Sequence, residues 1–109
     1  MIEFLKSNGI DAVYADYSLS SNLIINSKGE IAAAEYNVSG RSKRLRKNLE
    51  KYPNFAFIFF DTAKEKADLL KYLSEHKVSF KKQSIGSLSV FWNFSGQNKL
   101  KNKLRYLFG

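Results

Sequence analysis

One uninterrupted apolar run constrains the fold of this chain more than any other feature. Residues 54–60 read NFAFIFF, and no polar residue interrupts the run after the asparagine. A strand with one face in water alternates apolar and polar side chains, whereas a strand covered on both faces is apolar throughout. We therefore expect residues 54–60 to form an interior strand of a sheet with helices on both faces. The run is far shorter than the ~20 residues that a membrane-spanning helix requires.

The composition favours a single folded domain, residues 1–109. Hydrophobic residues make up 44% of the chain and aromatic residues 15%, which argues against disorder and is enough for one core. There is no cysteine, so disulfides and thiolate metal sites are excluded, and a single histidine excludes a histidine-based zinc cluster. No secretory leader is visible at the N-terminus, so we expect an intracellular, cytoplasmic protein and no membrane partner.

The remaining pattern predicts an α/β domain. Periodicity and capping signals predict helices at residues 1–7, 42–51, 61–76 and 98–108. Composition and alternation predict strands at residues 11–17, 22–26, 30–37, 54–60, 78–82 and 87–94. A turn at Ser27-Lys28-Gly29 closes residues 22–37 into a hairpin. The predicted order is α-β-β-β-α-β-α-β-β-α, with a central mixed sheet flanked by helices.

Positive charge is concentrated in the second part of the sequence. The net charge is +8; residues 1–40 contain two basic and five acidic side chains, and residues 41–109 contain sixteen and five. Such asymmetry indicates a polyanionic partner, most often nucleic acid. The alternative is a lysine-rich surface that serves only solubility.

The densest charge lies in residues 41–51, which we call the basic segment. Its basic residues are opposed only by Glu50; they are Arg41, Lys43, Arg44, Arg46, Lys47 and Lys51. On a helix, Arg44, Lys47 and Lys51 share a face, an arrangement that suits contact with phosphates. A second basic set would extend that surface: Lys81, Lys82, Lys99, Lys101, Lys103 and Arg105. No helix-turn-helix, zinc-finger or RNP motif indicates sequence-specific readout.

The order of the elements and residues 22–37, NLIINSKGEIAAAEYN, resemble the restriction-endonuclease-like, or PD-(D/E)XK, superfamily, which includes small archaeal Holliday-junction resolvases. In that family an acidic residue opens the second strand of the meander and a Glu-x-Lys closes the third. The resemblance covers residues 1–83. It implies a nuclease-like fold in which carboxylates hold Mg²⁺ or Mn²⁺ against the scissile phosphate.

Two of the three positions of that motif are substituted here. Glu35 matches the family's glutamate, whereas Asn22 and Asn37 stand where the family has an aspartate and a lysine. An amide oxygen can bind a divalent cation but brings no charge, and an amide cannot neutralise the attacked phosphate as an ammonium does. Asp16 could supply the missing carboxylate, and Arg41 or Lys43 the missing cation. The resemblance thus implies a degenerate catalytic set, in which Glu35 and Asp16 are weak metal ligands and Asn22 and Asn37 complete the motif.

The sequence therefore predicts a nucleic-acid-binding protein, with DNA as the expected partner, on a nuclease-like fold whose metal site is degenerate. An active Mg²⁺-dependent endonuclease that uses Glu35 is the alternative, and a protein-interaction module is the third hypothesis. Glu35 can equally be a strand-end carboxylate in a surface ion pair with Arg41 or Arg44. The oligomeric state stays open, and a homodimer is compatible with the sequence.

Overall fold

The computed structural model describes residues 1–36, 47–96, 103–105 and 107–108. Within them the elements follow one another as α1 (Ile2–Ser7), β1 (Ala12–Ala15), α2 (Tyr17–Asn26), β2 (Ala32–Glu35), β3 (Phe55–Phe60), α3 (Lys64–Glu75), β4 (Lys81–Ile85) and β5 (Leu88–Trp92). Residues 47–49 and 103–105 are also helical. The rest of the predicted helices at 42–51 and 98–108 falls largely outside the described residues.

The five strands form one mixed sheet in the order β2-β1-β3-β5-β4. β1 pairs in parallel with both β2 and β3, and β5 pairs antiparallel with both β3 and β4. Helix α2 connects β1 to β2 on one side of β1, and the chain later enters β3 on the other side. The prediction of an α/β domain with a central mixed sheet flanked by helices is therefore confirmed.

β3 lies at the centre of the core, as its apolar run predicts. Only its last residue, Phe60, is exposed, at 40%. Phe57 and Phe59 belong to a core cluster shared with α3, whereas Ala56 and Ile58 belong to a cluster shared with α1 and α2. Because helices cover both faces of the sheet, residues 55–59 of the strand offer no position at which a polar side chain would reach water.

The predicted hairpin of residues 22–37 is wrong. Residues 22–26 are the second half of α2, which begins where a loop was expected. The Asp16 carboxylate caps this helix by accepting a hydrogen bond from the Leu19 N–H at 2.8 Å. Leu23 is buried against the sheet, so the apolar run of this stretch serves one face of a helix. The short apolar run fits both the helical and the strand periodicity, and the cap at Asp16 decides in favour of the helix.

The predicted turn at residues 27–29 exists, but it ends α2 and does not join two antiparallel strands. Lys28 and Gly29 both have positive φ, at 55° and 79°. The Gly29 N–H donates to the Ile24 carbonyl and the Lys28 N–H to the Ile25 carbonyl, which is the Schellman closure of a helix. β2 follows and pairs with β1 in parallel. The predicted element order is therefore wrong after β1, where a helix replaces a strand.

Two further predictions need smaller corrections. The helix predicted at residues 61–76 is present as α3, but it begins later: the sequence offers Asp61 or Thr62 as a cap, whereas the N-cap in the structure is Ala63. The strands predicted at 78–82 and 87–94 are present as β4 and β5, with shifted ends. These strands form the antiparallel hairpin that closes one side of the sheet.

Candidate nucleic-acid interface

The carboxyl ends of the three parallel strands meet at one side of the sheet, which we call the carboxyl edge. Asp16 follows β1, Glu35 ends β2 and Asp61 follows β3. Ala15 is the register partner of Glu35, so Asp16 and Glu35 lie at neighbouring strand ends. In open parallel sheets, ligands bind at this edge where the strand order reverses. Here that position lies between β1 and β3.

Asp16 is engaged in the folding of α2. Its Oδ1 accepts hydrogen bonds from the Leu19 N–H at 2.8 Å and from the Ser18 hydroxyl at 3.2 Å. A carboxylate at a helix N-cap also interacts favourably with the helix dipole. One oxygen of Asp16 is therefore committed to the helix, which reduces its capacity as a metal ligand.

Tyr36 lies one residue beyond Glu35, and its side chain belongs to the core cluster on the face of the sheet that α3 covers. Its side chain is 5% exposed, and its ring centroid lies 5.3 Å from that of Phe59. Burial, together with the negative charges of Glu65 and Asp16, raises the pKa of Tyr36 to about 12. The phenol is therefore neutral at physiological pH and remains a hydrogen-bond donor.

Asp61 is a carboxyl-edge residue that the sequence patterns did not single out as a site residue. The Ser89 hydroxyl donates to its Oδ1 at 2.5 Å, and the Lys66 ammonium lies 3.4 Å from the same oxygen. The hydrogen bond from Ser89, followed by Lys66, holds the pKa of Asp61 below its ordinary value. Its position directly after an interior strand was the sequence signal that could have indicated it.

The structure brings together only part of the predicted catalytic set. Asp16 and Glu35 lie at the same edge, whereas Asn22 is exposed in the middle of α2. Asn37 lies outside the described residues. Within the described ranges, no three histidine, aspartate or glutamate side chains are arranged to hold a metal ion.

The described end of the basic segment is helical at residues 47–49 and continues as a turn at residues 50–51, so the predicted helix ends before Lys51. Lys47 and Lys51 are exposed, while Leu49 between them is 3% exposed and belongs to the core. The Lys51 ammonium lies 5.2 Å from the centroid of the Tyr52 ring. The other members of the segment, Arg41, Lys43, Arg44 and Arg46, lie outside the described residues.

Arg105 is not part of a basic surface, which corrects the predicted second set. It is 3% exposed, and its guanidinium donates to the carbonyls of Leu49 at 2.6 Å and Tyr52 at 2.5 Å. The guanidinium carbon lies 4.3 Å from the centroid of the Phe55 ring. Arg105 therefore fixes the end of the basic segment to the core. Of the other members, Lys81, Lys82 and Lys103 are exposed, and Lys99 and Lys101 lie outside the described residues.

Comparison of the chain with protein-family models, with curated proteins and with solved structures finds no match. The resemblance to the PD-(D/E)XK superfamily stays a prediction. Among the described residues, no helix is both long and apolar enough to cross a membrane.

Proposed function

We propose that this protein binds nucleic acid, with DNA as the expected partner, through contacts between the basic segment and the phosphates. The observation that supports this most is the orientation of the segment's described end. Leu49 is anchored in the core, and Lys47 and Lys51, two residues before and after it, are exposed to solvent. Residues 37–46 add four basic side chains and no acidic one.

A fixed array of cations suits a polyanion better than scattered lysines do. Arg105 holds the carbonyls of Leu49 and Tyr52, so the backbone that carries Lys51 has a defined position. Each lysine or arginine that neutralises a phosphate releases condensed counterions, and affinity then falls steeply with salt. Such contacts provide affinity without base specificity, in keeping with a chain that has none of the common base-reading motifs.

The test is a double charge reversal, Lys47→Glu with Lys51→Glu, measured by fluorescence anisotropy with labelled duplex and single-stranded DNA at several salt concentrations. We expect weaker binding to all sequences alike, and a salt slope that is smaller by about one to two units because two phosphate contacts are lost. Neither lysine is buried, so the fold should persist.

The matched control is Lys64→Glu with Lys71→Glu, which makes the same change in net charge at exposed positions of α3. It should reduce affinity much less. Equal losses in the two double variants would contradict a local interface and leave only a general effect of net charge. An unchanged affinity in the first variant would refute the assignment.

The second candidate function is a Mg²⁺-dependent endonuclease that uses Glu35. The observation that favours it is the shared edge position of Asp16 and Glu35 on paired parallel strands. One or two carboxylates with several waters can hold Mg²⁺ together with substrate phosphates. Cleavage of the anisotropy probe in the presence of Mg²⁺ separates this candidate from simple binding. Absence of salt-dependent binding to plain duplex would favour the protein-interaction module.

A further inference from the structure

A small cavity lies at the opposite side of the sheet, the amino edge, where β3 and β4 begin and β5 ends. Its volume is about 170 Å³. Its polar lining comes from Asn8, Asn54, Asn93 and Lys81, and its apolar lining includes Trp92. The volume is below the roughly 300–1,000 Å³ of pockets for drug-sized ligands. The cavity itself therefore has room for a group about the size of a single planar ring system.

Three of the residues that line this cavity are asparagines, and the carboxamide group of asparagine can pair with a particular class of ligand. Each carboxamide presents an N–H donor beside a carbonyl acceptor, which is the pattern that complements the edge of a nucleobase. Asparagine pairs in this way with adenine, through its N6 and N7 atoms. The Asn8 amide already donates to the Phe4 carbonyl at 2.8 Å, so its orientation is fixed and its oxygen remains an acceptor. Asn54 and Asn93 are exposed and belong to the cavity lining.

Charge and chain connectivity link this cavity to the basic segment. Lys81 is the charged residue of the described lining, and an ammonium at the rim can pair with the phosphate of a nucleotide whose base is inside. Pro53 also lines the cavity and follows the exposed Lys51 by two residues. The chain therefore runs from the described end of the basic segment directly into the cavity lining.

We propose that the amino-edge cavity binds the base of an unpaired nucleotide, preferably adenine, while Lys81 contacts its phosphate. The inference deepens the proposed function and rests on it. Phosphate contacts along the basic segment bring the strand to the cavity, and the asparagine amides read the base. A base inside a duplex is stacked and paired, so an unpaired or extruded nucleotide is the form that can enter.

The chain contains a single tryptophan, and it lines the cavity, so its fluorescence reports occupancy directly. The experiment titrates the protein with AMP, CMP, GMP and UMP, and separately with adenosine and with inorganic phosphate. We expect saturable quenching, with the tightest binding for AMP and weaker binding for adenosine.

Asn54→Ala should weaken AMP binding by at least about fivefold, or ~1 kcal/mol, because a base contact is lost. The hydrogen bond from the Asp11 N–H to the Asn54 carbonyl uses the backbone, so this variant keeps it.

Lys81→Ala should weaken the binding of AMP and leave that of adenosine unchanged. The matched control is Lys82→Ala, because Lys82 is the next residue of β4 and its ammonium lies 5.8 Å from the centroid of the Phe91 ring, outside the cavity lining. This control should bind AMP as the parent protein does. Equal weakening in the two lysine variants would overturn the role of Lys81.

Several outcomes would overturn the proposal. These are a flat titration with all four nucleotides at millimolar concentration, quenching that Asn54→Ala leaves unchanged, and quenching by phosphate as tight as by AMP.

Competition with a short single-stranded adenine oligonucleotide identifies the source of the base. Displacement of AMP supports a nucleic-acid strand, and failure to displace it overturns that assignment in favour of a free nucleotide. Salt-dependent duplex binding without nucleotide binding would refute the cavity proposal alone. Nucleotide binding without any DNA binding would refute the proposed function alone.

Discussion

At the scale of single residues, Arg105 shows how a buried charge can organise a surface. Its guanidinium donates to two backbone carbonyls and, at 3.2 Å, to the Tyr14 hydroxyl. Burying a charge is costly unless it is hydrogen-bonded, and the planar guanidinium offers five N–H donors for that purpose. The side chain joins the C-terminal part of the chain to the residues that end the basic segment. Its contribution is therefore structural, although its charge suggested otherwise.

Replacing Arg105 by methionine should destabilise the protein by about 2–3 kcal/mol, because two carbonyls lose charged hydrogen-bond donors. Arg105→Lys should recover only part of the loss, since one ammonium cannot reproduce the planar fork. The measurement is the free energy of unfolding in urea. Lys103→Met, an exposed change in the same helical turn, is the control and should stay within about 0.5 kcal/mol of the parent protein. An Arg105→Met variant as stable as this control would contradict the structural role.

At the scale of secondary-structure elements, the two longer helices begin in different ways. α2 has the Asp16 carboxylate as its cap. The N-cap of α3 is Ala63, whose backbone is extended at φ −70° and ψ 132° and whose side chain cannot accept a hydrogen bond. Asp61, two residues before Ala63, hydrogen-bonds Ser89 in β5 and so joins the end of β3 to its antiparallel neighbour. The first turn of α3 therefore has no side-chain acceptor at its N-cap.

Ala63→Ser should stabilise the protein by about 0.5–1 kcal/mol, because the serine oxygen can accept a hydrogen bond from an N–H of the first helical turn. The control is Ala67→Ser, the same chemical change at an exposed position inside α3. There serine lowers helix propensity, and we expect a loss of about 0.5 kcal/mol. Thermal and urea unfolding of both variants measure the difference. If Ala63→Ser destabilised the protein as much as Ala67→Ser does, Ala63 would not be the N-cap.

At the scale of the whole molecule, the two edges of the sheet differ in chemistry. Asp16, Glu35 and Asp61 lie at the carboxyl edge, where a phosphate would be repelled unless a cation lay between. Lys81 and the three asparagines lie at the amino edge, together with the acidic residue Asp11, whose N–H donates to the Asn54 carbonyl. The direction of the parallel strands produces this separation, because it gathers the residues that follow β1, β2 and β3 on one side.

We expect little or no DNA cleavage at millimolar Mg²⁺, with any residual activity appearing first with Mn²⁺. Asp16 is committed to α2, and Glu35 alone attracts Mg²⁺ weakly. Asn22→Asp should leave divalent-ion binding unchanged, because position 22 is exposed in the middle of α2. Calorimetry with Mn²⁺ and a gel cleavage assay measure both effects. Robust Mg²⁺-dependent cleavage that Glu35→Ala abolishes would replace the binding proposal with the endonuclease.

The sequence by itself determined the class of fold and the position of its central strand. The run at residues 54–60 and the helical spacing that predicts α3 are local signals, because they depend only on which side chains a short segment must bury. Each of these expectations needed no knowledge of the partner element.

Only the tertiary structure decided how distant segments combine. The Leu23-Ile24-Ile25 run suits a strand or a helix, and the cap at Asp16 with packing on the sheet made it α2. That helix made β1 and β2 parallel, which placed Asp16 beside Glu35. Arg105 looks like any other basic residue until carbonyls more than fifty positions away in sequence surround it. The amino-edge cavity is built from separate stretches of the chain, so no local pattern could indicate it. Which distant groups meet around a side chain depends on non-local packing, and a linear pattern does not contain that information.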